Sequence, residues 1–343
     1  MTRLEFNCMP TIIGSMPHKD AGEACRQVLN YLRDIPAWPQ LPKRSFLEDM
    51  AAQYIEGFPG VVIENEKYYV DRNADSDKDL EKLYMAYLEN DFAKYPISPE
   101  HAAGLYKLID MVDFPVRAVK GQITGPVTLG MTLTDNDGRT VAYDDILADA
   151  LAKMLKLRAA WMEKELKSIS DNTIIFLDEP YLTSIGSSFF ALSRERVVEL
   201  IEETFSGISG VKGMHCCGNS DWGFIMSTSV QVLSFDTYNY VESLALYPQD
   251  VKKYITDGRA IAWGVVPNDD DSLAKETAAS LQDRLEEAIA PFTRNGVDLP
   301  FKQLIAQGLI TPSCGVARLS EEAAEKCMGL LKELSDRIRS KYA

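Results

Sequence analysis

The sequence predicts a (β/α)8 TIM barrel, an α/β fold built as one domain over residues 1–343, and three observations point there. Short apolar runs of strand length alternate with amphipathic helical stretches along the whole chain. The runs number roughly eight, as a closed parallel barrel requires. Ser15, Gln122, Asp178, Glu179, His215, Cys217, Asp236 and Cys314 all fall at or just beyond the C-terminal ends of those runs. In a barrel these ends share the face that carries the chemistry, so residues distant in sequence converge on one pocket.

Along the chain, residues 10–15 read as the first strand and 19–32 as the helix behind it. Ile35-Pro-Ala-Trp-Pro-Gln-Leu-Pro42 is rich in proline, which removes ladder donors, so a second strand there is short or irregular. Residues 45–110 hold helix-like segments at 46–56 and 79–91 and read as a long excursion able to cover a site. Residues 116–121 form a strand, 144–168 a long helix, 173–180 a buried strand ending in acids, and 194–205 a helix. Runs at 211–217, 230–236, 260–266 and 309–312 supply the remaining strands. No linker, low-complexity tract or internal repeat divides the chain.

Composition narrows the function. With 46% hydrophobic and 25% charged residues the chain is of ordinary globular type. Its net charge of -15 argues against nucleic acid or an anionic membrane as partner. No apolar run reaches the ~18 residues of a membrane span. Met1-Thr-Arg-Leu-Glu-Phe-Asn7 lacks the apolar core of a secretory signal. A cytoplasmic location is expected, with all six cysteines reduced. No G-x-x-x-x-G-K loop is present, which argues against nucleotide use.

The most chemical stretch is Val211-Lys-Gly-Met-His-Cys-Cys-Gly-Asn219. His215 and Cys217 stand two residues apart and project to the same side of an extended strand. An imidazole nitrogen and a thiolate are borderline-soft donors that suit Zn2+. Free cysteine is also among the most buried residue types, so the pair alone fits a core equally well. Cys314, again after an apolar run and before a glycine, adds a third donor and turns the set towards zinc. Cys216 alternates to the opposite side and reads as structural, and Cys8, Cys25 and Cys327 read as packing residues. His18 either lines the pocket, as a catalytic candidate beside Asp178, or serves only the loop after the first strand. His101, in a helical stretch, reads as a surface residue. Asp178-Glu-Pro180 is either a strand-ending turn or a ligand contact to an amine. The four tryptophans read as core.

Taken in order, Ile13-Gly-Ser-Met-Pro17, Lys120-Gly-Gln-Ile-Thr-Gly-Pro-Val-Thr128, Asp178-Glu-Pro180, His215-x-Cys217 and Pro312-Ser-Cys-Gly315 resemble the catalytic barrel of cobalamin-independent methionine synthase, here in a single-barrel core form. That barrel shares a superfamily with uroporphyrinogen decarboxylase and corrinoid-dependent zinc methyltransferases. The resemblance spans essentially the whole chain. It implies a zinc site made by His215, Cys217, Asp236 and Cys314, with Asp236 where the full-length synthases carry Glu. It implies homocysteine contacts from Ser15, near the carboxylate, and Asp178, near the ammonium, with Glu56 of Gln53-Tyr-Ile-Glu-Gly57 as a further acid for the amine. Glu179 and Gln122, at strand ends, are further substrate-binding candidates.

The implied activity is methyl transfer to the thiol of homocysteine, giving methionine. Zinc deprotonates a thiol whose ordinary pKa is ~8.5, and a dry, well-positioned pocket supplies much of the remaining catalysis. The expected donor is a methylcorrinoid such as methylcobalamin, free or on a corrinoid partner protein. Two departures from the full-length synthases suggest it: no room for their N-terminal barrel, and no pterin-stacking tryptophan in Leu129-Gly-Met-Thr132. The other readings are a different corrinoid-to-thiol methyltransferase, a zinc-free uroporphyrinogen decarboxylase-like enzyme, and a binding protein that kept the barrel.

Overall fold

The structure, a computed structural model, describes residues 3–72, 76–188, 190–294 and 296–342. In chain order its strands are β1 (Met9–Pro10), β2 (Val61–Glu64), β3 (Lys67–Val70), β4 (Val119–Thr124), β5 (Thr173–Asp178), β6 (Val211–Cys216), β7 (Val232–Phe235), β8 (Ala260–Val266) and β9 (Gly308–Pro312). Seven of them form one parallel sheet in the order β1-β9-β8-β7-β6-β5-β4. Between its two edges lies the proline-rich segment 36–40. Trp38 N–H donates to Lys120 O at 3.2 Å, and Gln40 N–H donates to Gly14 O at 3.0 Å. Pro36 and Pro39 have no N–H to give, so this second strand makes single bridges rather than a ladder.

Helices cover the outside, and their starts follow capping chemistry. Asp20, Asp144 and Ser193 accept backbone N–H groups at the first turns of Ala21–Tyr31, Asp145–Leu166 and Arg194–Phe205. Alternation sorts the strand residues. Ile175 and Leu177 pack outward with the helices, while Ile174 and Phe176 join Met9, Val232, Ala260, Ala262 and Leu309 in a separate apolar cluster. That cluster fills the lumen towards the N-terminal ends of the strands and leaves the C-terminal ends to polar side chains.

Several expectations shift. β4 starts at Val119 rather than at residue 116, because the N–H groups of Arg117 and Ala118 both go to Asp34 O, outside the ladder. The helix expected over 46–56 is a 3-10 turn, Phe46–Glu48, followed by a short helix, Ala52–Ile55. The β2–β3 hairpin was not anticipated. Asn65 and Glu66 both have positive φ, 50° and 55°, as a type I′ turn demands, yet Glu66 lacks the usual glycine signal. His101 is not on the surface: it is 5% exposed. Its Nδ1 lies 2.8 Å from Ser98 Oγ and 3.3 Å from the Glu56 carboxylate, partners that the helical pattern does not reveal. All four tryptophans are buried, as expected. Among the described residues no helix is long and apolar enough to cross a membrane.

Candidate metal centre

β6 delivers His215 and, just past its end, Cys217, while Cys314 arrives from the turn after β9. The ligand atoms of these three residues all lie within 4.8 Å of one another. Tetrahedral zinc with bonds of about 2.0–2.3 Å sets its ligands about 3.6 Å apart, so modest closure completes a three-donor site.

The two ring nitrogens of His215 have different surroundings. Its Nδ1 lies 3.0 Å from Ser234 Oγ, the hydroxyl of its register partner on β7. Its Nε2 is buried with no hydrogen-bond partner. A buried ring nitrogen without a partner is costly in protein alone and natural for a metal ligand whose other nitrogen is held. The two thiols act as a pair. The Cys217 thiol is pulled down to about 4, first by the hydrogen bond from Cys314 and then by His215, while Cys314 as the donor is pushed well up. The donor set His, Cys, Cys fits zinc.

Asp178 ends β5 beside His215 in register. Its Oδ1 is buried without a partner. Burial pushes its carboxyl up to about 6, against the pull of His215 and Lys120. Ser15 stands against the Cys314 turn: its carbonyl accepts Val316 N–H at 2.9 Å, and a Cβ on Gly315 would fall 2.0 Å from Ser15 Oγ. Cys216, as expected, faces away, with its sulfur 3.0 Å from Ser220 Oγ.

Other candidates are engaged elsewhere. Asp236 lies outside the three-residue cluster, its carboxylate accepting Asn239 N–H at 2.8 Å and Asn239 Nδ2 at 2.7 Å. Burial raises its pKa, and the charges of His215 and Cys217 act on it. Glu179 spends both oxygens on the N-terminus of helix Pro126–Thr132, accepting from Val127 N (2.9 Å) and Thr128 N (2.7 Å). Gly125 makes room for it, since a Cβ there would meet Glu179 Oε1 at 2.2 Å. Gln122 bridges Trp38 O (2.9 Å) and the Lys120 ammonium (3.2 Å). Glu56 pairs with His101 and lines a different cavity, of about 1010 Å3, among Phe58, Tyr95 and Arg158. His18 is fully buried with both ring nitrogens unpartnered. Burial lowers its pKa, and the charges acting on it are Glu321, Glu23, Glu325 and Asp20, on and beside the first and last helices rather than in the centre.

Three residues at the centre gave no expectation from sequence. Ser234 Oγ, beside His215 Nδ1, and the Asn268 side-chain amide, bonded to Ser313 Oγ and Gly315 O on either side of Cys314, announce themselves only through register and turn geometry. Lys120 is wholly buried on the lumen side of β4, donating to Ile13 O at 2.6 Å and standing 4.5 Å over the Phe176 ring. A lysine in a strand that otherwise reads as buried was a visible signal.

No protein-family model matches the chain, and neither does any curated protein sequence. Among solved structures it is similar to a B12-independent methionine synthase from Shewanella sp. W3-18-1 in complex with selenomethionine, with a TM-score of 0.62 and 16% identity over 97% of this chain and 98% of that one. It is also similar to a methyltransferase from Methanosarcina mazei, with a TM-score of 0.57 and 13% identity over 100% of this chain and 94% of that one. At these identities the likeness establishes the fold.

Proposed function

We propose that this chain is a zinc-dependent methyltransferase that moves a methyl group to the thiol of homocysteine, giving methionine, with a methylcorrinoid as donor. The observation that carries it is the convergence of His215 with the sulfurs of Cys217 and Cys314 at the C-terminal mouth of a barrel. Zinc held by these residues would act as a Lewis acid that keeps the substrate sulfur deprotonated at neutral pH.

The chain's own groups do the rest. The Asp178 carboxylate, with one oxygen unpartnered, receives the substrate ammonium. Ser15, against the Cys314 turn, lies on the side that takes the substrate carboxylate. Held at both ends, the sulfur attacks the methyl carbon in line, and the donor leaves with the electron pair of the bond it gives up. The Shewanella structure, with selenomethionine bound, supports a methionine-shaped product. That neighbour is described as B12-independent, so the donor is the part that an assay decides.

The test is methionine formation by zinc-loaded protein from homocysteine with methylcobalamin or with methyl-tetrahydrofolate. Methionine from methylcobalamin is expected. Product from the folate alone overturns the donor, and product from neither overturns the assignment of homocysteine as acceptor.

A further inference from the structure

Of the three residues at the centre, Cys314 lies farthest beyond the end of its strand. His215 lies within β6 and Cys217 comes directly after it, whereas Cys314 comes two residues after β9 ends at Pro312. The last ladder bond runs from Ser313 N–H to Val266 O at 2.8 Å. Beyond it, one side chain from the neighbouring strand end grips the turn. Asn268 Oδ1 accepts from Ser313 Oγ at 2.9 Å, and Asn268 Nδ2 donates to Gly315 O at 3.1 Å. A single planar amide therefore straddles Cys314.

The strand before Asn268 is shaped for this. Between Gly264 and Val266 the register of β8 against β9 shifts, the kind of bulge that re-aims the residues beyond it on a strand. Only glycine fits at 264, because a Cβ there would lie 2.4 Å from Phe235 O and 3.1 Å from Ser313 Cα. Asparagine suits 268 through its hydrogen-bonding pattern. The Gly315 carbonyl can only accept, so it fixes the amide nitrogen towards itself and leaves the oxygen for the serine hydroxyl.

We infer that Asn268 is a positioning residue for Cys314: its side-chain amide holds the 313–315 turn so that the third donor reaches His215 and Cys217. This rests on the proposed metal reading of the centre and names the residue that decides whether the third donor is delivered. Helix capping or core packing would not require one amide to bond on both sides of a candidate ligand.

Cobalt(II) uptake tests it, because thiolate-to-cobalt charge-transfer absorption scales with the number of bound thiolates. In the wild-type protein the band corresponds to two thiolates per metal. In Asn268→Ala it falls by about half, and Zn2+ passes to a chelator at least ~10-fold more readily, the usual effect of losing such a support. Asn268→Asp, which faces the Gly315 carbonyl with a second acceptor, behaves like the alanine variant. Ser313→Ala, losing one arm only, falls between and serves if the Asn268 variants do not fold. Full cobalt absorption with wild-type zinc retention in the folded variants overturns the inference. A wild-type protein that takes up no cobalt overturns the metal reading itself, so the two failures are distinguishable.

Discussion

Ser234 Oγ stands 3.0 Å from His215 Nδ1, directly across the β6–β7 ladder where the two residues are register partners. The ladder thus fixes the imidazole, and the hydroxyl holds Nδ1 while Nε2 is left without a hydrogen-bond partner. Ser234→Ala is expected to weaken zinc binding about 10–100-fold with little change in fold. Competition with a chromophoric chelator measures it, and wild-type affinity in the variant would remove Ser234 from the site.

Cys216 and Cys217 are neighbours with opposite fates. Cys216 faces Ser220 on the far side of β6, while Cys217 joins the centre. Cys216→Ala should keep its zinc and Cys217→Ala should lose it, as read by metal analysis of the purified variants. Equal loss in both would mean that the strand, not the side chain, is what matters.

Asp236 is held by Asn239 and stands apart from the three donors. Asp236→Asn keeps an acceptor for Asn239 and should retain the metal of the wild type. Stoichiometric loss of zinc in this variant would instead establish Asp236 as a fourth ligand.

Glu179 holds the helix Pro126–Thr132 to β5 through two backbone N–H groups. Glu179→Gln leaves one acceptor for two donors and should cost about 1–3 kcal/mol in urea unfolding. Burial lifts the Glu179 carboxyl from an ordinary 4.5 to about 7. Between those values the folded chain keeps a proton that the unfolded chain releases, so this contribution is full at low pH and is lost as pH rises through 7. The wild-type advantage over Glu179→Gln should therefore shrink between pH 4.5 and 7. An advantage that grows over that range would show that the carboxylate is held ionised.

What the sequence revealed and what it hid have physical causes. β8 and helix Arg194–Phe205 were legible to the residue, because a continuous apolar run and a Ser193 cap both act locally. The meeting of His215, Cys217 and Cys314 was legible too, since period-2 spacing and strand ends are sequence properties. Glu179 misled because an acid after an apolar strand looks the same whether it meets a ligand or a helix N-terminus more than fifty residues away. Glu56 and His101 found each other through the packing of the 45–110 excursion, which no local pattern encodes. Ser234 and Asn268 were invisible for the same reason: their partners lie on another strand and in the turn after β9.

The most direct test of the account is metal content in protein purified without chelator, wild type beside Cys314→Ala. About one zinc per chain in the wild type, lost in the variant, is the result that a His215, Cys217, Cys314 centre predicts. A wild-type protein that holds no zinc and takes none up on addition would contradict it.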